Sequence, residues 1–185
     1  SPDFPLLGPV ISQPALGSAD GFLTRVNPAN GQVLYSISIG GRSTEPNFFA
    51  GTTINAIATD PAGNIYAAGR TTASDFPVSP DAFQKSGPLT SGFGVRSFGF
   101  VLKLSPSGDR LLYSTFLGGV ASGCVGFSSC LGAFAGTSID ALVVDRNGIA
   151  TVAGYTSAKD FPTTTGVIQT ICLCRRSTGS GFVTQ

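Results

Sequence analysis

Histidine is absent from the 185 residues, and with it go Ser-His-Asp and Cys-His catalysis and imidazole metal sites within this chain. Tryptophan is missing too, which removes the largest aromatic surface on which a sugar face could stack. No run of about 18 apolar residues occurs, so no membrane-spanning helix is expected. Charge is scarce and balanced: 11% of residues are charged, the net charge is +1, and neither sign clusters into a footprint for nucleic acid or an anionic membrane. No Walker-type or dinucleotide glycine signature appears, because Gly118-Gly119 closes an apolar run and does not lead into a helix. Methionine is absent and no basic-then-apolar leader opens the chain at Ser1, from which a processed or trimmed product is expected.

What is present is turn chemistry. The 25 glycines and 12 prolines are spread between short apolar runs, and 42% hydrophobic content places the chain among folding sequences. Many strands joined by many turns, an all-β fold, is the expectation. A charge-poor surface rich in Ser, Thr and Gly, with four cysteines in two close pairs, points to an extracellular or cell-surface setting.

The chain repeats itself. Asp3-Phe4-Pro5 recurs as Asp75-Phe76-Pro77 and Asp160-Phe161-Pro162, giving repeat units of about 3–74, 75–159 and a partial 160–185 within one domain spanning 1–185. Gly21-Phe22-Leu23-Thr24 matches Gly99-Phe100-Val101-Leu102, and Gly181-Phe182-Val183-Thr184 begins a third copy. Each complete copy passes a glycine turn into Leu34-Tyr35-Ser36 or Leu112-Tyr113-Ser114 and closes on Gly40-Gly41 or Gly118-Gly119, which reads as a hairpin. A second hairpin follows: Ile54-Asn55-Ala56-Ile57 matches Ile139-Asp140-Ala141-Leu142. Ile65-Tyr66-Ala67-Ala68-Gly69 is set against Ile149-Ala150-Thr151-Val152-Ala153-Gly154. Between the two strands lie Asp60-Pro61-Ala62-Gly63-Asn64 and Asp145-Arg146-Asn147-Gly148, where Asp accepts backbone N–H bonds and Gly takes the positive-φ position. Gln13, Gln84 and Gln169 end the connectors. Four short strands per unit read as β-propeller blades.

These residues resemble the SBBP β-propeller repeats of bacterial secreted and cell-surface proteins. The Asp-Phe-Pro connector, the Tyr-Ser…Gly-Gly strand and the Asp-x-x-Gly turn carry the likeness, which departs at Gly148-Ile149, where the usual Asn is missing, and in two Cys-bearing insertions. The resemblance implies a propeller and an extracellular setting, and it carries over no catalytic residues. By the same analogy the Ile54 strand is the innermost, A, followed by B at Ile65, C at Phe22 or Phe100 and the outer D at Tyr35 or Tyr113. The order C–D, A–B–C–D, A–B–C gives one whole blade and two partial ones, nine strands in all, too few to close a ring of four to eight blades. A fragment of a longer protein is the favoured expectation, with assembly through incomplete blades as the alternative.

Repeated positions are cheapest to explain by the blade. Asp3, Asp75 and Asp160 therefore read as connector residues, with Phe as an apolar anchor and Pro holding its neighbour extended; Asp60 and Asp145 read as turn residues. A ring of connector carboxylates gathering Ca²⁺ would need further oxygen ligands, which the motif does not supply, so no cofactor is expected. Asp20, Glu45, Asp81, Asp109 and Asp140 remain, and no spacing selects a glycosidase pair among them.

The departures from the repeat are more informative. Cys124 and Cys130 lie in the D–A link, where 20 positions separate Gly119 from Ile139 against 13 from Gly41 to Ile54, and Cys172 and Cys174 lie in the B–C connector. Alternating strand directions bring both links to one face, so all four are disulfide candidates. A Cys172–Cys174 ring is strained, a local Cys124–Cys130 bond and cross-loop bonds stay open, and a four-thiolate zinc site is the sharper alternative despite poor spacing. Phe48, Phe49, Arg175 and Arg176 fall in links on the same face and are candidate contact residues, although the favoured expectation for the Phe pair is that both rings plug under their loop as core. The functional expectation is a non-enzymatic extracellular module, structural, adhesive or partner-binding, meeting protein or glycan at the cell surface. The alternatives are a glycan-active propeller enzyme completed by blades outside the chain and a homopolymer subunit joined by strand complementation.

Overall fold

The computed structural model describes residues 4–8, 19–41, 51–87, 97–119, 136–171 and 179–185. Among them there is no helix, and nine strands form three antiparallel sheets. The first sheet pairs β1 (Gly21–Asn27) with β2 (Gln32–Ile39); the second has the order β3 (Thr52–Thr59), β4 (Ile65–Thr71), β5 (Phe98–Leu104), β6 (Leu111–Leu117). The third runs β7 (Thr137–Val144), β8 (Ala150–Thr156), β9 (Ser180–Thr184). The expected series C–D, A–B–C–D, A–B–C is reproduced strand for strand, as partial blades without a closed ring.

Consecutive sheets stack face to face. β5 and β6 bring Phe98, Phe100, Leu102, Leu104 and Phe116 against Leu23, Ile37 and Ile39 of the first sheet, all nearly or completely shielded from solvent. On the opposite face Tyr66, Ala68 and Leu117 pack with Ile139, Leu142 and Val152 of the third sheet. Alternation along each strand gives both layers, and burying a side chain such as Phe100 stabilises by roughly 1.5–3 kcal/mol relative to exposure. β7 crosses β3, β4 and β5, which sets the A strands of neighbouring blades side by side. Short parallel bridges, Ala19 to Gly51 and Ser97 to Gly136, tie the start of each C strand to the start of the next A strand.

The hairpin turns form as their residues dictate. Asp60 Oδ1 accepts from Asn64 N at 2.9 Å, and Asp145 Oδ1 accepts from Asn147 N and Ile149 N, each at 2.8 Å. These bonds correct one detail of the alignment. Ile149 N occupies the place of Asn64 N, and β8 begins at Ala150, opposite Val144, so Ala150 and not Ile149 is the counterpart of Ile65. The aspartate-to-glycine interval is the same in both turns and sets this register, whereas pairing Ile65 with Ile149 shifts it by one.

Candidate functional site

Three polar arrangements are built by the repeat, and they lie at different places on the blade. The first is at the connectors. Phe76 is buried against Phe100 and Phe116, with ring centroids 4.6 and 5.9 Å apart; Phe161 meets Phe182 at 4.5 Å, and Phe4 meets Phe22 at 4.7 Å. In every copy, then, the connector ring sits on the C-strand Phe of its own sheet. Pro77 O accepts from Ser114 Oγ at 2.7 Å, and Pro5 and Pro162 hold the same place in the motif. Asp75 and Asp160 of the motif stand against a neighbouring blade: a side-chain carbon on Gly41 would collide with Asp75 Oδ1, and one on Gly119 with Asp160 Oδ1. The recurrent second glycine of Gly40-Gly41 and Gly118-Gly119 thus leaves room for the next connector's carboxylate.

Asp3, Phe48, Phe49, Cys124, Cys130, Cys172, Cys174, Arg175 and Arg176 lie outside the described residues. The links that carry them do leave from one end of the blades, since β3 starts opposite the end of β4, and β5 starts opposite the ends of β4 and β6.

The second arrangement is at the other end. Asp60 Oδ2 accepts from Lys103 Nζ at 3.2 Å and from Asn64 Nδ2 at 2.8 Å, and lies 3.2 Å from the Tyr66 hydroxyl. That hydroxyl donates to Gly148 O of the next blade at 2.9 Å. The hydrogen bond from the Asn64 side chain, helped by its backbone N–H and by Lys103, holds the Asp60 carboxyl down at about 2 against the upward push of burial. Lys103 is held above its ordinary value, first by the Tyr66 hydroxyl and then by Asp60, and its ammonium lies 4.9 Å over the Tyr66 ring centroid. One blade earlier the same strand position is Arg25, which donates to Pro106 O at 2.7 Å. Basic residues here bridge elements of the fold, which leaves them poor candidates for substrate contact.

The third arrangement is on the A strands. β3 and β7 each carry a bulge, at Asn55 and Asp140, where the register shifts by one. The bulge forces the opposing B-strand residue to lack a side chain: a Cβ on Gly69 would collide with Thr53 O, and one on Gly154 with Ser138 O. Bulges re-aim side chains, and here they produce a bridge between blades. Asn55 Nδ2 lies 2.9 Å from Ile139 O, 3.1 Å from Ser138 Oγ and 3.3 Å from Asp140 Oδ1, while Ser138 Oγ donates to Asp140 Oδ1 at 2.8 Å. Asn55 and Asp140 are both solvent-exposed. Chemically, Asp140 offers a carboxylate already oriented by two donors, fit to accept further hydrogen bonds from a bound group. Among the described residues no three His, Cys, Asp or Glu side chains come together to hold a metal.

Sequence reading placed Asp140 among five unassigned acids and passed over Asn55 and Lys103. The signal was available for the bulge pair: a polar residue at one repeat position of an otherwise apolar strand, with a glycine recurring at the end of its partner. No comparable signal marks Lys103, whose partner lies 43 positions away in sequence.

Stacked antiparallel sheets, one complete with four strands and two partial, with neighbouring A strands side by side and connectors clipped by a recurring phenylalanine, define blades of the β-propeller class. Residues 49–77 match the family described as SBBP, β-propeller repeat, a span that holds β3, its turn, β4 and Asp75-Phe76-Pro77. The chain therefore carries an SBBP-type β-propeller repeat. No curated protein matches the chain.

Proposed function

We propose that this chain is a non-enzymatic β-propeller module that works outside the cell or on its surface, as a structural, adhesive or partner-binding element. One observation carries the reading: the repeated polar residues are engaged by the fold. Asp60 and Asp145 cap turns, Asp75 and Asp160 stand against the neighbouring blade's glycine, and Arg25 donates to the next blade's turn. What varies between repeats is the D–A and B–C links, which leave from one end of the blades and carry Phe48, Phe49, Arg175, Arg176 and the four cysteines. Loops on a rigid scaffold are where binding residues concentrate. Contact with protein or glycan is assigned to those links.

Antibodies against the chain, applied to intact source cells and to their medium, are expected to find it without lysis; recovery only after lysis sinks the extracellular reading. A panel of chromogenic glycosides tests the enzyme alternative, and turnover that is lost on Asp140→Asn would replace the non-enzymatic reading.

A further inference from the structure

Asparagine followed by glycine occurs twice in the chain, at Asn30-Gly31 and at Asn147-Gly148. The order matters chemically, because a glycine nitrogen has no side chain beside it as a shield and can close on the carboxamide carbon of the residue before it. Asn27 precedes Pro28, which has no N–H to give up, and Asn64 precedes Ile65, whose branched side chain crowds its own nitrogen.

The two Asn-Gly turns differ in what they touch. Among the described residues a Cβ on Gly31 would meet nothing within 4 Å, whereas one on Gly148 would lie 3.1 Å from the Tyr66 hydroxyl, 3.6 Å from Lys103 Nζ and 3.7 Å from Asp60 Oδ2. Asn147-Gly148 therefore sits on the joint between the second and third blades, where Gly148 O accepts from the Tyr66 hydroxyl at 2.9 Å. Asn147 is exposed. So is Ala62, its counterpart in the turn of the second blade, which has a sheet packed on either side, so the exposure belongs to the turn position. Freeing the Gly148 nitrogen breaks its bond to Asp145 O at 3.0 Å, and the Asn147 carboxamide is held only at 3.5 Å, from Nδ2 to Asp145 Oδ2. An exposed turn of this kind opens locally far more often than the sheet it joins.

We infer that Asn147 is a site of spontaneous deamidation, and that its conversion loosens the joint between the second and third blades. The Gly148 nitrogen attacks Asn147 Cγ and gives its proton to solvent; the Cγ–Nδ2 bond breaks, ammonia leaves, and a cyclic succinimide remains. Water then opens the ring at either carbonyl. One opening leaves aspartate. The other leaves isoaspartate, in which the main chain runs through Cβ and Cγ and is longer by an atom before the Gly148 nitrogen. The longer path draws Gly148 O off the Tyr66 hydroxyl, and in the aspartate product a carboxylate faces Asp145 where the amide stood. The only co-reactant is water, so the inference stands apart from the extracellular reading and holds or fails wherever the protein works.

The test is to age the whole chain in mildly alkaline buffer and map its peptides after digestion at acidic pH, which suppresses conversion during handling. A mass gain of about 1 Da at residue 147, in two chromatographic forms, is expected to rise with time. The converted chain is expected to unfold in urea at a midpoint at least as low as that of Tyr66→Phe. Asn147→Ala installs the residue that the sister turn already carries at Ala62, and is expected to keep its midpoint on ageing even as Asn30 reacts. Ala62→Asn places asparagine before Gly63 and is expected to add a second reactive turn, at residue 62. An unchanged mass at residue 147, over a period in which the same chain converts fully in denaturant, overturns the site. A midpoint that falls as far in aged Asn147→Ala as in the aged parent overturns the effect on the joint.

Discussion

The Tyr66 hydroxyl donates to the Gly148 carbonyl at 2.9 Å, joining the B strand of one blade to the first hairpin turn of the next. Gly148 has φ +81°, and a Cβ added there would lie 3.1 Å from the Tyr66 oxygen. Tyr66→Phe keeps the ring and removes the bond, and is expected to cost about 1 kcal/mol. Gly148→Ala strains the backbone as well as crowding the hydroxyl, and is expected to cost more, about 1–2 kcal/mol. Urea unfolding is the measurement: the midpoint should fall with an unchanged slope, and the double variant should lose less than the sum, because both changes act on one contact. A Tyr66→Phe midpoint equal to that of the parent would show that packing alone joins these blades.

The same corner sets a pH dependence. Asp60 is held down at about 2 in the folded chain, below the roughly 3.9 of an unperturbed aspartate. A carboxyl whose folded value is depressed stabilises the fold above the unfolded value, and that contribution is lost as pH falls from about 4 towards 2. Lys103 is shifted the other way, upward, so its contribution is complete below the ordinary lysine value and is lost as pH rises through the folded one. Melting temperature should therefore show a plateau between these limits. Asp60→Asn should lower the plateau and flatten the acid limb. An acid limb as steep in Asp60→Asn as in the parent would assign the loss to other carboxylates.

Phe76 and Phe161 share a motif position but differ in cover. Phe76 is 2% exposed and touches both Phe100 and Phe116, whereas Phe161 is half-buried against Phe182. Phe76→Ala is expected to destabilise by about 3–5 kcal/mol, and Phe161→Ala by clearly less, because part of its ring is already in water. Chemical denaturation of the two variants gives the order directly. Equal losses would mean that the third connector is covered in solution as fully as the second.

How far the sequence disclosed this structure depends on whether a feature repeats. Strand order was legible because Gly21-Phe22, Gly99-Phe100 and Gly181-Phe182 recur with the same neighbours, and the turns were legible because Asp60 and Gly63 fix their own geometry locally. The Phe76 anchor could be anticipated from its chemistry. Its partner Phe100, 24 positions on, could be guessed only by analogy with the other copies. What resisted reading was contact between blades. Tyr66 with Gly148 and Asn55 with Asp140 join residues that no local pattern links, and sheet stacking sets which of them meet; Lys103 meets Asp60 within one sheet, through the pairing of β5 with β4. The bulge was missed for a different reason: one extra residue in a strand leaves hydrophobic alternation nearly intact, and it shows only in the partner glycine.

The Asn55 to Asp140 contact makes a prediction of defined sign. Asn55 Nδ2 lies 3.3 Å from Asp140 Oδ1, so Asn55→Asp sets two carboxylates against each other at the bulge and replaces a donor with an acceptor facing Ile139 O. Like charges at that separation push one of the two carboxyls above its ordinary value. A carboxyl whose folded value is raised destabilises the fold above that value, and the loss is relieved as protonation proceeds below it. The variant is therefore expected to be less stable than the parent by about 1–2 kcal/mol at pH 7 and to close most of that gap near pH 4. Asn55→Ala loses the donor without adding charge, so its deficit should be about 1 kcal/mol and independent of pH. Thermal unfolding of parent and both variants at pH 4 and pH 7 separates the cases. If the aspartate variant loses the same stability at both pH values, the two bulges do not face each other in solution, and the bridge between the innermost strands would have to be redrawn.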